Sequence, residues 1–151
     1  MVRLGIICIL ALGLSAGFSL AEETLDLKEV LPEAASFTPV KKGEEVLYYK
    51  AKDQDGKLIG AVFKVRGKSY SDIDTLAGML KDGTITAIKV LAQNETPGIG
   101  SRVATPEFTG RFRNIKDISQ VQAITGATVS SQAVIDSVKK KAEEIKALLK
   151  E

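Results

Sequence analysis

The chain has 151 residues, 21 basic and 19 acidic, for a formal net charge of +2, about one domain's worth of sequence with a modest core. Charges of both signs are interspersed outside a lysine-rich C-terminal stretch and aromatics make up only 5%, so no nucleic-acid surface is indicated. Histidine is absent and the single cysteine, Cys8, lies in an apolar leader, which removes His-based catalysis, the commonest metal ligands and cysteine-held clusters; redox work in the remaining chain would need an organic cofactor.

Residues 1–21 form a leader. Met1-Val2-Arg3 is a positive start, Leu4 to Leu14 is nearly unbroken apolar sequence, and Ser19-Leu20-Ala21 puts small residues where a signal peptidase reads them. Cleavage after Ala21 is the first reading. A retained anchor is the second, because about 18 apolar residues just span a bilayer. Cys8 falls too early for a lipoprotein signal. Both readings place the domain at 22–151 outside the cytoplasmic membrane.

Thr24 to Phe37 predicts one short helix that Pro32 interrupts or ends. Glu45–Lys52 and Lys57–Gly67 read as two strands joined by Asp53-Gln54-Asp55-Gly56. In the second, Ile59, Ala61, Phe63 and Val65 make the expected core face. Ile73–Leu80 and Thr84–Gln93 form a second hairpin around Lys81-Asp82-Gly83, with Ile85, Ala87, Lys89 and Leu91 alternating against Thr86, Ile88 and Val90. About four antiparallel strands flanked by helices make an α+β domain.

After the fourth strand comes Asn94-Glu95-Thr96-Pro97-Gly98-Ile99-Gly100, a tight-turn loop that leaves Glu95 and Thr96 presenting polar groups at the end of the sheet. Thr105-Pro106-Glu107 predicts a short helix carrying Phe108 and Phe112. The last and longest helix starts near Ser130, with Val134, Val138, Ala142, Ile145 and Leu149 on one face. Directly before it, Ile124-Thr125-Gly126-Ala127-Thr128-Val129-Ser130-Ser131 combines small hydroxyl residues with a glycine. Free backbone N–H groups and the positive end of the helix dipole make such a start an anion seat. The plainer reading is that Thr128 or Ser130 caps the helix.

Thr125-Gly126-Ala127-Thr128 resembles the (Ser/Thr)-Gly-Ala-Thr motif of the FMN-binding domain found in the G subunit of the Rnf electron-transport complex and the C subunit of the sodium-translocating NADH:quinone oxidoreductase. Glu95-Thr96-Pro97-Gly98-Ile99-Gly100 is similar to that family's Glu-Thr-Pro-Gly-(Leu/Ile)-Gly loop, and Val30-Leu31-Pro32-Glu33-Ala34 to its Leu-Pro-(Glu/Gly)-Ala approach. The resemblance covers roughly Leu31 to Leu149. It implies an extracytoplasmic electron carrier, alone or as one subunit of an ion-translocating membrane oxidoreductase, with FMN joined to Thr128 through a phosphoester. Thr125, Gly126, Ala127 and Ser130 would surround the phosphate, while Glu95, Thr96, Gly98 and Ile99 would meet the ring or ribityl chain. The implied partners are a flavin transferase and membrane electron-transfer subunits; no metal and no acid–base catalytic residue is implied.

The sequence departs from the family twice. Ser69-Tyr70-Ser71-Asp72 stands where the family has Gly-Tyr-Gly-Gly, so the side chains of Ser71 and Asp72 are expected to alter or loosen a backbone contact with the flavin. Gln122 occupies the position of an aspartate that the transferase recognises, with Asp117 out of register. Non-covalent FMN, a flavin-free binding module and a small flavin reductase domain therefore stay open as alternatives.

Overall fold

The computed structural model describes residues 26–150; the leader and the first residues of the predicted N-terminal helix lie outside them. Residues 26–30 are helical (α1) and a turn at Pro32 follows. Five strands come next: β1 (Ser36–Lys42), β2 (Glu45–Lys52), β3 (Leu58–Lys68), β4 (Asp72–Leu80) and β5 (Ile85–Ala92). They form one antiparallel meander in chain order. Short helical turns lead through α2 (Pro106–Thr109) to the long α3 (Thr128–Leu148). Among the described residues no helix is long and apolar enough to cross a membrane.

The fifth strand is the addition to the predicted architecture. By sequence, residues 34–37 belong to the tail of the proline-interrupted helix, but the chain turns at Pro32 and runs extended from Ser36. β1 is an edge strand, mostly exposed, and it carries Pro39, Lys41 and Lys42, which suit an edge and hide the alternation of a buried strand.

Both faces of the sheet are covered, which explains the apolar run from Leu58 to Phe63. One face packs Ala61, Phe63, Ala77 and Met79 against Val134, Val138, Ala142 and Ile145 of α3, with Phe108 and Phe112 closing the end. The two rings meet edge to face, centroids 5.4 Å apart at 77°. The other face packs Ala51, Val62 and Leu76 under Leu27, Val30 and Leu31. Two predicted alternations break at irregular pairings. In β3, Ala51 pairs with Gly60 but Lys52 with Leu58, so Ile59 leaves the face of Ala61 and Phe63. In β5, Gly78 pairs with Ala87 but Met79 with Ile85, and Ile85 joins Ile88 and Val90 rather than Ala87 and Leu91.

Helix α3 lies close on β3. A Cβ at Gly67 would stand 2.6 Å from the carbonyl oxygen of Ala133, so glycine sets the approach there. This contact brings the start of α3 beside the β3–β4 turn and the loop after β5.

Candidate functional site

The start of α3 is a turn followed at once by helix. The Ala127 N–H bonds to the Ile124 carbonyl at 3.0 Å across Gly126, whose φ of +83° suits glycine. Ala127 is the N-cap and no side chain caps the helix, which begins at Thr128, two residues before the predicted start. Helix geometry gives the N–H groups of Thr128, Val129 and Ser130 no intrahelical acceptor. The capping role open to Thr128 or Ser130 is not taken up by either.

The four hydroxyls of this segment divide into two pairs. Ser131 is fully buried; its Oγ accepts from the Ile124 N–H at 3.0 Å and donates to the Ala127 carbonyl at 2.7 Å. Ser130, also buried, donates to Glu95 Oε2 at 2.5 Å. Thr125 and Thr128 are exposed, and neither hydroxyl has a partner among the described residues.

The loop after β5 supplies the facing wall. Thr96 to Ile99 close a turn through Ile99 N–H to the Thr96 carbonyl at 3.1 Å, with Gly98 at φ +71°. Glu95 is 5% exposed. Its Oε1 accepts from the Ser71 N–H at 2.8 Å and the Ser71 hydroxyl at 2.6 Å, and its Oε2 from Ser69 at 3.0 Å as well as from Ser130. Burial pushes this carboxyl up, but the hydrogen bonds from Ser130, Ser71 and Ser69 outweigh it and hold the group below its ordinary value. A Cβ on Gly100 would stand 2.6 Å from Ser130 Oγ and 2.8 Å from Glu95 Cβ, so only glycine fits between them.

Between these walls lies a cleft of about 380 Å³. Glu95, Thr96, Ile99 and Gly100 line one side, Gly126, Ala127, Thr128, Val129 and Ser130 the other, and Tyr70 the rim. Of the sequence-predicted site residues, the structure gathers Glu95, Thr96, Ile99, Gly126, Ala127, Thr128 and Ser130 here. Gly98 and Thr125 lie outside the wall; Gly98 turns the loop, and Thr125 offers its carbonyl to Arg102 Nη1 at 3.4 Å. Tyr70, Gly100 and Val129 are missing from the predicted set. Tyr70 is 81% exposed, and Ile99 and Val129 are each 52% exposed, large apolar surfaces gathered at one opening. Val129 has one sequence signal, an apolar residue off the buried stripe of α3.

The two departures from the family pattern also have places. Ser71 and Asp72 do not line the cleft; Ser71 holds Glu95, and Asp72 pairs with Arg66 at 3.5 Å on the surface. Gln122 is exposed, and its carbonyl accepts from Arg111 Nη1 at 2.6 Å. A larger hollow of about 750 Å³ on the α1 side, among Leu27, Tyr48, Lys64 and Leu91, contains none of the motif residues.

The sequence profile of the FMN-binding domain matches residues 67–143, which takes in the β3–β4 turn, the loop after β5 and the first three-quarters of α3. The chain belongs to the FMN-binding domain family. It is 41% identical over 129 residues to the G subunit of the ion-translocating oxidoreductase complex of Methanosarcina acetivorans, across 74% of this chain and 69% of that protein. It is 30% identical over 144 residues to the G subunit of the Na(+)-translocating ferredoxin:NAD(+) oxidoreductase complex of Acetobacterium woodii, across 76% and 70%. In fold it is similar to the crystal structure of NqrC from Shewanella oneidensis, with a TM-score of 0.55 at 23% identity, covering 78% of this chain and 73% of that one. The C subunit of the Na(+)-translocating NADH-quinone reductase from Parabacteroides distasonis gives a TM-score of 0.57 at 16% identity, with coverage of 83% and 82%.

The residues present fit the family's cofactor. The cleft is within the size range of small-molecule sites, roughly 300–1,000 Å³. Three uncapped N–H groups at one end match a phosphate, and three exposed apolar side chains match a planar aromatic ring.

Proposed function

We propose that this domain is the FMN-carrying electron-transfer component of an ion-translocating membrane oxidoreductase, exposed outside the cytoplasmic membrane, with the FMN phosphate esterified to Thr128. The observation that carries the reading is Thr128 itself: an exposed hydroxyl with no partner among the described residues, on the first residue of an uncapped helix, inside the cleft. The neighbouring serine hydroxyls are buried and engaged, so on this reading they hold the site rather than the ligand.

The N–H groups at the start of α3 would bind the phosphate without a lysine or arginine. Tyr70, Ile99 and Val129 would cover ring surface and exclude water, and Thr96 offers polar groups beside the ribityl chain. FMN, when bound, supplies the one-electron and two-electron redox chemistry. A transferase must reach Thr128 and a membrane partner must reach the ring; an opening rimmed by exposed side chains suits both. The relatives' names, each giving one component of an ion-translocating complex, support a membrane-bound partner.

The test is Thr128→Ala made in cells that contain the flavin transferase. Flavin fluorescence that survives denaturing electrophoresis is expected in wild type, to persist in Thr128→Ser, and to vanish in Thr128→Ala. Wild-type protein with no denaturation-resistant flavin overturns the covalent link, and wild-type protein with no bound flavin at all overturns the carrier reading. Intact-mass measurement of membrane and soluble fractions separates a chain starting at Glu22 from one retaining its leader.

A further inference from the structure

The three segments that carry the exposed apolar residues of the cleft all converge on one buried carboxylate. Tyr70 occupies the middle of the three-residue turn between β3 and β4, because Lys68 is the last residue to pair with Asp72. Its two neighbours both bond to Glu95, Ser69 through its hydroxyl to Oε2 and Ser71 through its N–H and hydroxyl to Oε1. Ser130, which follows Val129, donates to Oε2. Gly100, which follows Ile99, packs against both Glu95 and Ser130 with no room for a Cβ.

We propose that Ser69 and Ser71 form a bracket hung on Glu95 that fixes Tyr70 as a wall for the isoalloxazine ring, with Glu95 a positioning residue rather than a flavin ligand. This rests on the reading that FMN occupies the cleft. The carboxylate's two oxygens accept all four of these hydrogen bonds from protein donors, so its acceptor capacity is already engaged within the protein. Tyr70 makes no hydrogen bond of its own among the described residues and is 81% exposed, so the placement of its ring depends on the backbone on either side. With glycine at both 69 and 71 the side-chain hydroxyls of the bracket would be missing. Glycines would keep the backbone bonds from the N–H of residue 71 to Glu95 and from the N–H of residue 69 to the carbonyl of residue 71 but lose both hydroxyl bonds, so the serines hold the turn more firmly, and pre-ordering strengthens binding by lowering the entropy lost when the ligand arrives.

Two readouts test this on the full domain. Without ligand, the Ser71 amide is expected to be protected from hydrogen exchange in wild type and in Glu95→Gln, whose amide still accepts at one end while the serine hydroxyls reorient at the other, and to exchange fast in Glu95→Ala. Titration of apo-protein with FMN is expected to show quenched flavin fluorescence in wild type and loss of most of that quenching in Tyr70→Leu. The double variant Ser69→Gly/Ser71→Gly is expected to weaken FMN binding by about three- to tenfold, the range that ordering one side chain spans, with partial loss of quenching. Glu95→Gln should stay within about twofold of wild type, a change below the effect of losing one ordered side chain. Wild-type affinity and quenching in the double-glycine variant overturn the bracket. Equal damage from Glu95→Gln and Glu95→Ala overturns the positioning role, since it makes the charge itself the ligand. A protected Ser71 amide in wild-type protein that acquires flavin neither in the titration nor in transferase-containing cells overturns the flavin reading and leaves the bracket as part of the fold alone.

Discussion

Ser131→Ala separates the hydroxyls that build the site from the one that would carry the ligand. The Ser131 side chain is buried completely and spans the turn before α3, accepting from Ile124 N–H and donating to the Ala127 carbonyl. Removing its oxygen leaves the Ala127 carbonyl still paired, because the Ser131 N–H bonds to it at 2.9 Å. The Ile124 N–H, however, loses its partner beside a side chain that is 1% exposed. A buried donor left unpaired costs about 1–3 kcal/mol. Better helix propensity of alanine returns up to about 0.5 kcal/mol. The expected net loss is about 0.5–3 kcal/mol, with a fall in Tm of roughly 2–4 °C per kcal/mol for a chain of this size. Thr128→Ala removes an exposed hydroxyl with no partner among the described residues and should change stability by less than about 0.5 kcal/mol. Urea unfolding of the two apo-variants beside wild type gives both values. Equal stabilities for Ser131→Ala and wild type, or an equal loss in Thr128→Ala, refute this division of the hydroxyls.

Gly100→Ala forces a Cβ to within 3 Å of Ser130 and Glu95 and should cost about 1–3 kcal/mol, as overpacking does, with weaker FMN retention; calorimetry and flavin titration check both. Glu95 contributes stability that is present above the unfolded carboxyl pKa and lost as pH falls through the lower folded value. The advantage of wild type over Glu95→Gln in urea midpoint should therefore shrink from about pH 7 to about pH 3, and an advantage that is constant across this range refutes the ionised bracket. Gln122→Asp lies on an exposed position and should raise the fraction of chain that acquires covalent flavin in transferase-containing cells, read as the ratio of flavin to protein absorbance, without changing Tm.

Local rules carried far in this chain. The apolar spacing of Val134, Val138, Ala142 and Ile145 determines α3 and its buried stripe, and Pro106 and the glycines of the turns mark where elements begin or reverse. The motif segments Glu95–Gly100 and Thr125–Thr128 are readable because their turns need particular residues at consecutive positions, and consecutive positions are what a sequence displays. The edge strand β1 escaped because an edge has little to bury and so little periodicity to show. The faces of Ile59 and Ile85 escaped because a shift in strand pairing reverses alternation without changing the letters around it.

The working division of the site is a different kind of information. That Ser130 and Ser131 are engaged while Thr128 has no partner among the described residues depends on what stands opposite each hydroxyl, and for Ser130 that is Glu95, 35 residues earlier. That Ser69 and Ser71 both donate to Glu95 depends on a carboxylate 26 and 24 residues later in the chain, which the loop after β5 brings to the β3–β4 turn. Sequence alone marked the two segments Glu95–Gly100 and Thr125–Thr128, because their chemistry is set by residue type and local backbone, but it did not mark Tyr70 or Val129. Only the tertiary structure decided which residues of the cleft are left free to use their chemistry, because a hydrogen bond between distant segments is settled by how the sheet and α3 pack.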